Sequence, residues 1–156
     1  MKCHACVASV LSLLMSPAFG GSSCDQRTTT GAWMFRCEGE LPVPDPTAAR
    51  SLGTCTATRD AFWNCTGDVN LGGAIIAQTF QGQAHNNADC TGTIHYEQTL
   101  GGQPAPALDI NYLILDGGDT IWGLPLNSGG VLTCTLRRLS ANKPRFDSME
   151  SLADRP

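Results

Sequence analysis

The chain lacks any apolar run long enough to cross a bilayer as a helix. Residues 5–15 form an uncharged, apolar or small stretch of about 11 residues, whereas a membrane-spanning helix needs roughly 20. Lys2 precedes this stretch, Pro17 follows it, and small residues occupy the −3 and −1 positions of a cut after Gly20. This arrangement is typical of a secretory signal peptide. We therefore expect a secreted or periplasmic protein that loses residues 1–20 and has no transmembrane segment.

Basic charge is also scarce. Lysine occurs twice, at Lys2 and Lys143, and removal of the signal would leave nine basic against 14 acidic residues. Apart from the neighbours Arg137 and Arg138, the basic residues are scattered along the chain. Nucleic-acid binding needs a concentrated basic surface that displaces counterions from phosphates. The composition therefore excludes nucleic acid and an anionic membrane surface as expected partners.

Familiar catalytic motifs are missing too. His85 and His95 are the histidines that remain after signal removal, and no Gly-x-Ser-x-Gly elbow accompanies either. His95 shares a predicted strand face with Glu97, as solvent-facing residues do, and His85 lies in a polar stretch that we expect to be a loop. No glycine doublet is followed by the lysine and helix of a phosphate-binding loop. We therefore name no catalytic, cofactor-binding or metal-binding residue and expect no cofactor.

Two pairs of carboxylates are candidates for other chemistry. Asp116 and Asp119, or Glu38 and Glu40, could act as the acid and base of a glycosidase. The first pair could also offer oxygens to calcium. Simpler interpretations are a turn stabilised by aspartate side chains and one solvent-facing row of a strand.

Cysteine, by contrast, is abundant, with eight in the chain. Cys3 and Cys6 would leave with the signal peptide, and an even number in an exported chain predicts disulfides. Fifteen pairings of six cysteines are possible, and the sequence does not select one. We favour Cys24–Cys37, Cys55–Cys65 and Cys90–Cys134, because the first two pairs could each close a short loop. The six predicted disulfide cysteines are Cys24, Cys37, Cys55, Cys65, Cys90 and Cys134.

Three rival uses of the cysteines carry less weight. A zinc or redox site at Cys3 and Cys6 lacks a second ligand pair and a βαβ setting. A metal could sit at Cys90 between His85 and His95, but an oxidising compartment favours a disulfide at that cysteine. Lipidation of Cys24 would leave an odd number of cysteines.

Short alternating apolar runs separated by Gly, Pro or Asn clusters predict an all-β domain. We expect an antiparallel β-sandwich or β-barrel of about seven to eight strands. Apolar rows such as Trp33, Phe35 and Cys37 would face inward, because successive strand residues point to opposite faces. The predicted strands cover residues 32–39, 51–57, 61–69, 73–80, 90–99, 107–115, 120–126 and 131–139.

The connections suggest one domain. The Asp-Gly-Gly-Asp sequence at 116–119 predicts a hairpin turn. The proline-rich segments 41–50 and 100–107 are expected to be extended crossovers or edge segments. We assign residues 21–139 to a single β domain and residues 140–156 to a polar, mostly disordered tail.

Some surface residues are candidate contacts for a ligand. Trp33 and Trp63 lie near cysteines in the sequence and are expected in the core. Trp122 lies near the predicted turn and is expected to be exposed. It could contact a ligand, as could His85 and His95. Asn64 begins the N-glycosylation pattern Asn-Cys-Thr, which is relevant only in a eukaryotic secretory pathway.

These observations favour a non-enzymatic binding protein, such as an inhibitor, an adhesive module or an effector. Its rigid, disulfide-stapled scaffold would present loops, among them residues 82–89 and 100–107, to an extracellular protein or glycan. Alternatives are a structural or assembly subunit of a surface complex and a small secreted hydrolase. The sequence does not indicate the oligomeric state.

Overall fold

A computed structural model describes residues 23–42 and 45–140, and within them eight antiparallel strands close into a barrel. The prediction of an all-β domain is confirmed, and of the two predicted arrangements the barrel forms. Neighbours in sequence are neighbours in the sheet, and β8 returns to pair with β1. The strands are β1 (Gly31–Pro42), β2 (Pro46–Ala57), β3 (Phe62–Leu71), β4 (Ala74–Asn86), β5 (Thr91–Leu100), β6 (Gln103–Leu115), β7 (Thr120–Pro125) and β8 (Val131–Arg138).

Two-residue alternation determines which side chains fill the barrel. In β1, Trp33 and Phe35 are buried and Met34 is exposed. In β5, Ile94 and Tyr96 are buried while His95 and Glu97 face solvent. Burying the apolar rows inside the closed sheet supplies the main favourable term for folding.

The structure corrects three predicted boundaries. β2 begins at Pro46 and pairs with the end of β1, so residues 46–50 of the proline-rich segment lie in a strand and not in a crossover. β4 continues to Asn86, so His85 lies in a strand and not in a loop. β6 begins at Gln103, so segment 100–107 is a turn followed by a strand. In each case cross-strand pairing extends the strand through residues whose local composition is typical of loops.

The two ends of the barrel differ. At the closed end, a short 3₁₀ helix (Gln26–Thr29) precedes β1, and Asp25 caps it by accepting from the backbone N–H of Arg27 at 2.8 Å. The turns after β2, β4 and β6 also lie at this end. At the open end, β3–β4 and β5–β6 are joined by the doublets Gly72–Gly73 and Gly101–Gly102, all four with positive φ. Such two-residue turns are compact.

The six predicted cysteines form three disulfides, but two of the three favoured pairings are wrong. Cys55–Cys65 joins β2 to β3 as expected. Cys37 bonds Cys134, its direct register partner across β1 and β8, and Cys24 bonds Cys90. Cys24 therefore has no free thiol for lipidation, and Cys90 has none for a metal.

The three disulfides indicate an oxidising extracellular or periplasmic environment. Within residues 23–42 and 45–140 no helix has the length and apolarity to span a membrane. The predicted signal peptide (1–20) and the predicted tail beyond Ser140 lie outside the described residues.

Candidate ligand-binding site

The closed end is sealed by one stacked pair of side chains. The guanidinium of Arg138, on β8, lies 4.4 Å from the ring centre of the fully buried Trp33. It donates hydrogen bonds to the backbone oxygens of Thr28 at 2.6 Å, Gly118 at 2.6 Å and Thr30. The indole N–H of Trp33 donates to the Thr29 oxygen at 2.8 Å. This network joins the 3₁₀ helix, β1, β8 and the β6–β7 turn.

Polar contacts hold the 3₁₀ helix against the far side of the barrel. The buried Asn86 side chain donates to the Asp25 backbone oxygen at 2.7 Å and accepts from the Tyr112 hydroxyl. The Cys24–Cys90 disulfide fixes the same segment to the β4–β5 turn. Ligand access through this end would therefore require several bonded contacts to break.

Above this seal lies an inner cavity of about 60 Å³. Its lining is almost wholly apolar and includes both cross-strand disulfides. The rings of Trp63, Phe80 and Tyr96 line it from the consecutive strands β3, β4 and β5, with Phe80 and Tyr96 centred 5.7 Å apart. The lining residues are Phe35, Cys37, Cys55, Trp63, Cys65, Phe80, Ile94, Tyr96, Leu108, Ile110, Tyr112, Ile121, Gly123, Cys134 and Leu136.

A larger mouth cavity of about 280 Å³ lies toward the open end and shares Cys37, Phe80, Leu108 and Cys134 with the inner one. Apolar side chains from all eight strands line most of it. Its polar members lie near the rim or are paired. Gln78 is buried and donates to the Ser51 hydroxyl, and Gln98 donates to the Pro106 oxygen at 2.6 Å.

Two polar atoms deep in the barrel are poorly paired. The indole nitrogen of Trp63 is buried and has no hydrogen-bond partner among the described residues. The Tyr96 hydroxyl contacts Cys65 Sγ at 3.9 Å, and sulfur is a weak hydrogen-bonding atom. Burial raises the pKa of Tyr96 and of Tyr112 above the ordinary tyrosine value, so both hydroxyls stay protonated at neutral pH.

Trp33 and Trp63 are core residues, as the sequence predicts, whereas Trp122 is 58% exposed. On the outer wall it stands directly opposite Leu113 in the β6–β7 register, with Leu124 two residues further along the strand. These three residues, here called the outer patch, border a shallow cleft. Trp122 therefore does not reach the interior cavities.

The histidines also lie outside the barrel. They occupy neighbouring strands, with His85 opposite Thr93 and His95 opposite Gln83. His95 Nδ1 is 2.6 Å from an Asp109 oxygen, and His85 Nδ1 is 3.3 Å from the Gln26 amide nitrogen. The register positions on either side of His95 hold Gln83 and Asp109, not serine or cysteine. Among the described residues no group of His, Cys, Asp and Glu is arranged to hold a metal.

The remaining candidates are separated as well. Asn64 is exposed on the outer face of β3, and its neighbour Cys65 is in a disulfide. Asp116 and Asp119 flank the β6–β7 turn, which confirms the predicted turn, and Asp119 accepts from Arg138 at 3.2 Å. Glu38 pairs with Arg36 at 2.6 Å on the exposed face of β1. Asn64, Glu38 and the turn at Asp116 and Asp119 thus lie on different elements of the barrel.

No family model, curated protein or solved structure matches this chain. The fold and cavities alone therefore define its class: a disulfide-stapled, eight-stranded antiparallel barrel, sealed at one end and hollow toward the other. Sequence reasoning missed Trp63 and Tyr96 as site residues, because only the register of β3, β4 and β5 places the two residues on either side of Gly82. The signal available in the sequence was the two-residue alternation along each strand, which predicts that both side chains point inward.

Proposed function

We propose that this protein is a non-enzymatic binding protein of an oxidising compartment, and that its ligand is a small, mostly apolar molecule held inside the barrel. The observation that carries the proposal is the apolar mouth cavity of about 280 Å³, which adjoins the inner cavity. An eight-stranded barrel is just wide enough for packed side chains or one small ligand. Small-molecule sites are typically concave, mostly apolar and of about 300–1,000 Å³, and this cavity lies near the lower bound of that range.

The disulfides support this proposal through preorganisation. Cys37–Cys134 and Cys55–Cys65 cross-link adjacent strands and line the inner cavity. A cavity whose walls are covalently linked loses little conformational freedom when a ligand binds, which favours affinity.

Loop presentation to a protein or glycan is supported less well. The two segments expected to be presented, 82–89 and 100–107, include the turns at opposite ends of β5. The second segment lies at the open end, where it borders the mouth cavity through Ala105, Pro106 and Ala107. A macromolecular partner would therefore meet one end of the barrel and not both segments together.

The test compares two neighbouring alanines in β2. Ala49 points inward and lines the mouth cavity, whereas Ala48 is exposed on the outer wall. We expect the disulfide-bonded protein to bind the apolar dye N-phenyl-1-naphthylamine with a rise in fluorescence. Ala49→Trp should abolish binding by filling the mouth, and Ala48→Trp should leave it unchanged. Thermal melting would show that both variants fold. Ala105→Trp is a second variant that should fill the mouth cavity, because Ala105 also lines it. Dye binding that is absent, or is equal in all variants, would contradict the proposal.

Assembly into a larger complex is a second candidate, and the outer patch favours it. Leu113, Trp122 and Leu124 expose 47%, 58% and 51% of their surfaces on adjoining strands. Exposed apolar clusters are common at protein interfaces. If the patch is an interface, Trp122→Ser should lower the mass measured by light scattering after gel filtration; a monomeric wild-type protein would contradict self-assembly.

A further inference from the structure

One residue that lines the inner cavity carries a buried hydrogen-bond donor without an acceptor. The Trp63 side chain is 2% exposed and lines the cavity, and its Nε1–H is the buried side-chain group left unpaired within the described residues. Buried polar groups in folded proteins are nearly always paired, so an unpaired one calls for a specific explanation. The equivalent donor of Trp33, by contrast, is bonded to the Thr29 oxygen.

A second donor belongs to Tyr96, which lines the same cavity and flanks Gly82 opposite Trp63 in the β3–β4–β5 register. The Tyr96 hydroxyl contacts Cys65 Sγ at 3.9 Å, and Cys65 is two residues from Trp63 on the same inward face of β3. The sulfur belongs to the Cys55–Cys65 disulfide, so it has no proton to donate, and it is a weak acceptor. Trp63 and Tyr96 thus line one cavity, and each has a side-chain donor, one N–H and one O–H, without a strong acceptor.

The cavities also indicate the charge of what could bind there. None of the described residues lining the inner or the mouth cavity is Lys, Arg or His. A carboxylate or phosphate carried into this apolar interior would lose its hydration without gaining an opposite charge, which is strongly unfavourable. A neutral acceptor needs only the hydrogen bonds that Trp63 and Tyr96 can donate.

We propose that the ligand is a neutral, mostly apolar molecule with an oxygen acceptor, such as a ketone carbonyl, at its leading end, and that this oxygen accepts from Trp63 Nε1–H and the Tyr96 hydroxyl. This inference rests on the proposed binding function and specifies the chemical class of its ligand. The apolar remainder of the ligand fills the space toward the mouth cavity. Selection comes from the interior donors, because an apolar molecule without an acceptor leaves them unpaired.

The experiment uses three probes of similar length: 2-octanone, 2-methyl-1-octene, in which a methylene group replaces the carbonyl oxygen, and octanoate. Affinities are measured by competition with N-phenyl-1-naphthylamine. The variants are Trp63→Phe, Tyr96→Phe and the control Tyr112→Phe. Tyr112 also lines the cavity, but its hydroxyl already donates to Asn86. Melting curves verify that each variant folds. If Trp63→Phe does not fold, Tyr96→Phe still tests the proposal.

We expect wild-type protein to bind the ketone more tightly than the alkene or octanoate. Each of Trp63→Phe and Tyr96→Phe should reduce the ketone-to-alkene affinity ratio by roughly three- to tenfold, the usual effect of one hydrogen bond, and Tyr112→Phe should leave that ratio unchanged. Equal binding of ketone and alkene, an unchanged ratio in both test variants, or tighter binding of octanoate would overturn the inferred ligand class while leaving the binding function standing. If neither the dye nor any probe binds, the binding function itself is overturned.

Discussion

The two cross-strand disulfides permit a controlled test of what closes the barrel. Cys37–Cys134 and Cys55–Cys65 each join residues directly opposite in register, each with Cα atoms 4.0 Å apart, and both line the inner cavity. They differ in the length of chain that they close. Their sequence separations are 97 and 10 residues. Replacing each pair by alanines therefore compares similar local changes with different closure entropies.

The expected magnitudes follow from the loop lengths. With Cys24–Cys90 intact, the shortest covalent path between Cys37 and Cys134 covers about 57 residues, through the 24–90 bond, and not 97. Chain-entropy scaling then gives about 4.2 kcal/mol for this disulfide and about 2.7 kcal/mol for Cys55–Cys65. Cys37→Ala/Cys134→Ala should thus lose about 1.5 kcal/mol more unfolding free energy than Cys55→Ala/Cys65→Ala.

Urea unfolding at neutral pH, without reductant, measures both losses from the midpoint and slope of each transition. Mass spectrometry of the intact variants would verify that the two remaining disulfides have formed. Equal losses, or a larger loss for Cys55→Ala/Cys65→Ala, would refute the argument from closure entropy. Strain in the folded state or residual structure in the unfolded chain would then dominate.

Three further predictions concern the closed end, the interior and the outer wall. Arg138→Met should lower the unfolding free energy by about 2–4 kcal/mol, because three backbone oxygens lose their donor. The control is the exposed neighbour Arg137. Arg137→Met should lower the unfolding free energy by less than about 0.5 kcal/mol, with both variants measured by thermal melting. If the two arginine variants have the same melting temperature, the hydrogen bonds of Arg138 do not stabilise the fold. Burial raises the pKa of Tyr96 and Tyr112 in the folded protein. As the pH rises, these tyrosines therefore ionise in the unfolded state first. The unfolding free energy should fall above about pH 10, by up to about 1.4 kcal/mol per pH unit for each tyrosine. Urea midpoints at pH 9 and 11 check this, and Tyr96→Phe should show a shallower fall than wild type. Trp122→Ser should change the unfolding free energy by less than about 0.5 kcal/mol in the monomer, because the residue is 58% exposed; a larger loss would mean that the outer patch contributes to folding.

The fold could be predicted to a large extent, because its main determinant is local. Strand alternation depends on residues two apart, and it places Trp33, Phe35, Ile94 and Tyr96 inside. What could not be predicted depends on closure. Cys37 lies opposite Cys134 because the first and last strands pair, and no local pattern specifies that pairing. The preference for short loops therefore identified Cys55–Cys65 and failed for the other two disulfides.

The candidate site could not be predicted from the sequence for a different reason. Trp63 and Tyr96 are 33 positions apart in the chain, and each by itself has the pattern of an ordinary core residue. Their common cavity depends on the register of β3, β4 and β5, in which both residues flank Gly82, and the missing acceptor for Trp63 Nε1 appears only in the packed interior. Conversely, His85 and His95, the residues most conspicuous for chemistry, follow the outward alternation and lie on the outer wall.

The sealed end has a practical consequence for handling the protein. Both limits of the described chain leave the barrel there: Cys24 N–H donates to the Ala88 oxygen at 3.3 Å, and Leu139 N–H donates to the Ala32 oxygen at 2.8 Å. An affinity tag, a surface linker or a fused reporter attached near either limit would be on the side opposite the mouth cavity. Immobilised barrels would therefore share one orientation, with the mouth facing the solution. That geometry suits a sensor chip, on which the dye and the ketone probe can be compared without the attachment covering the site.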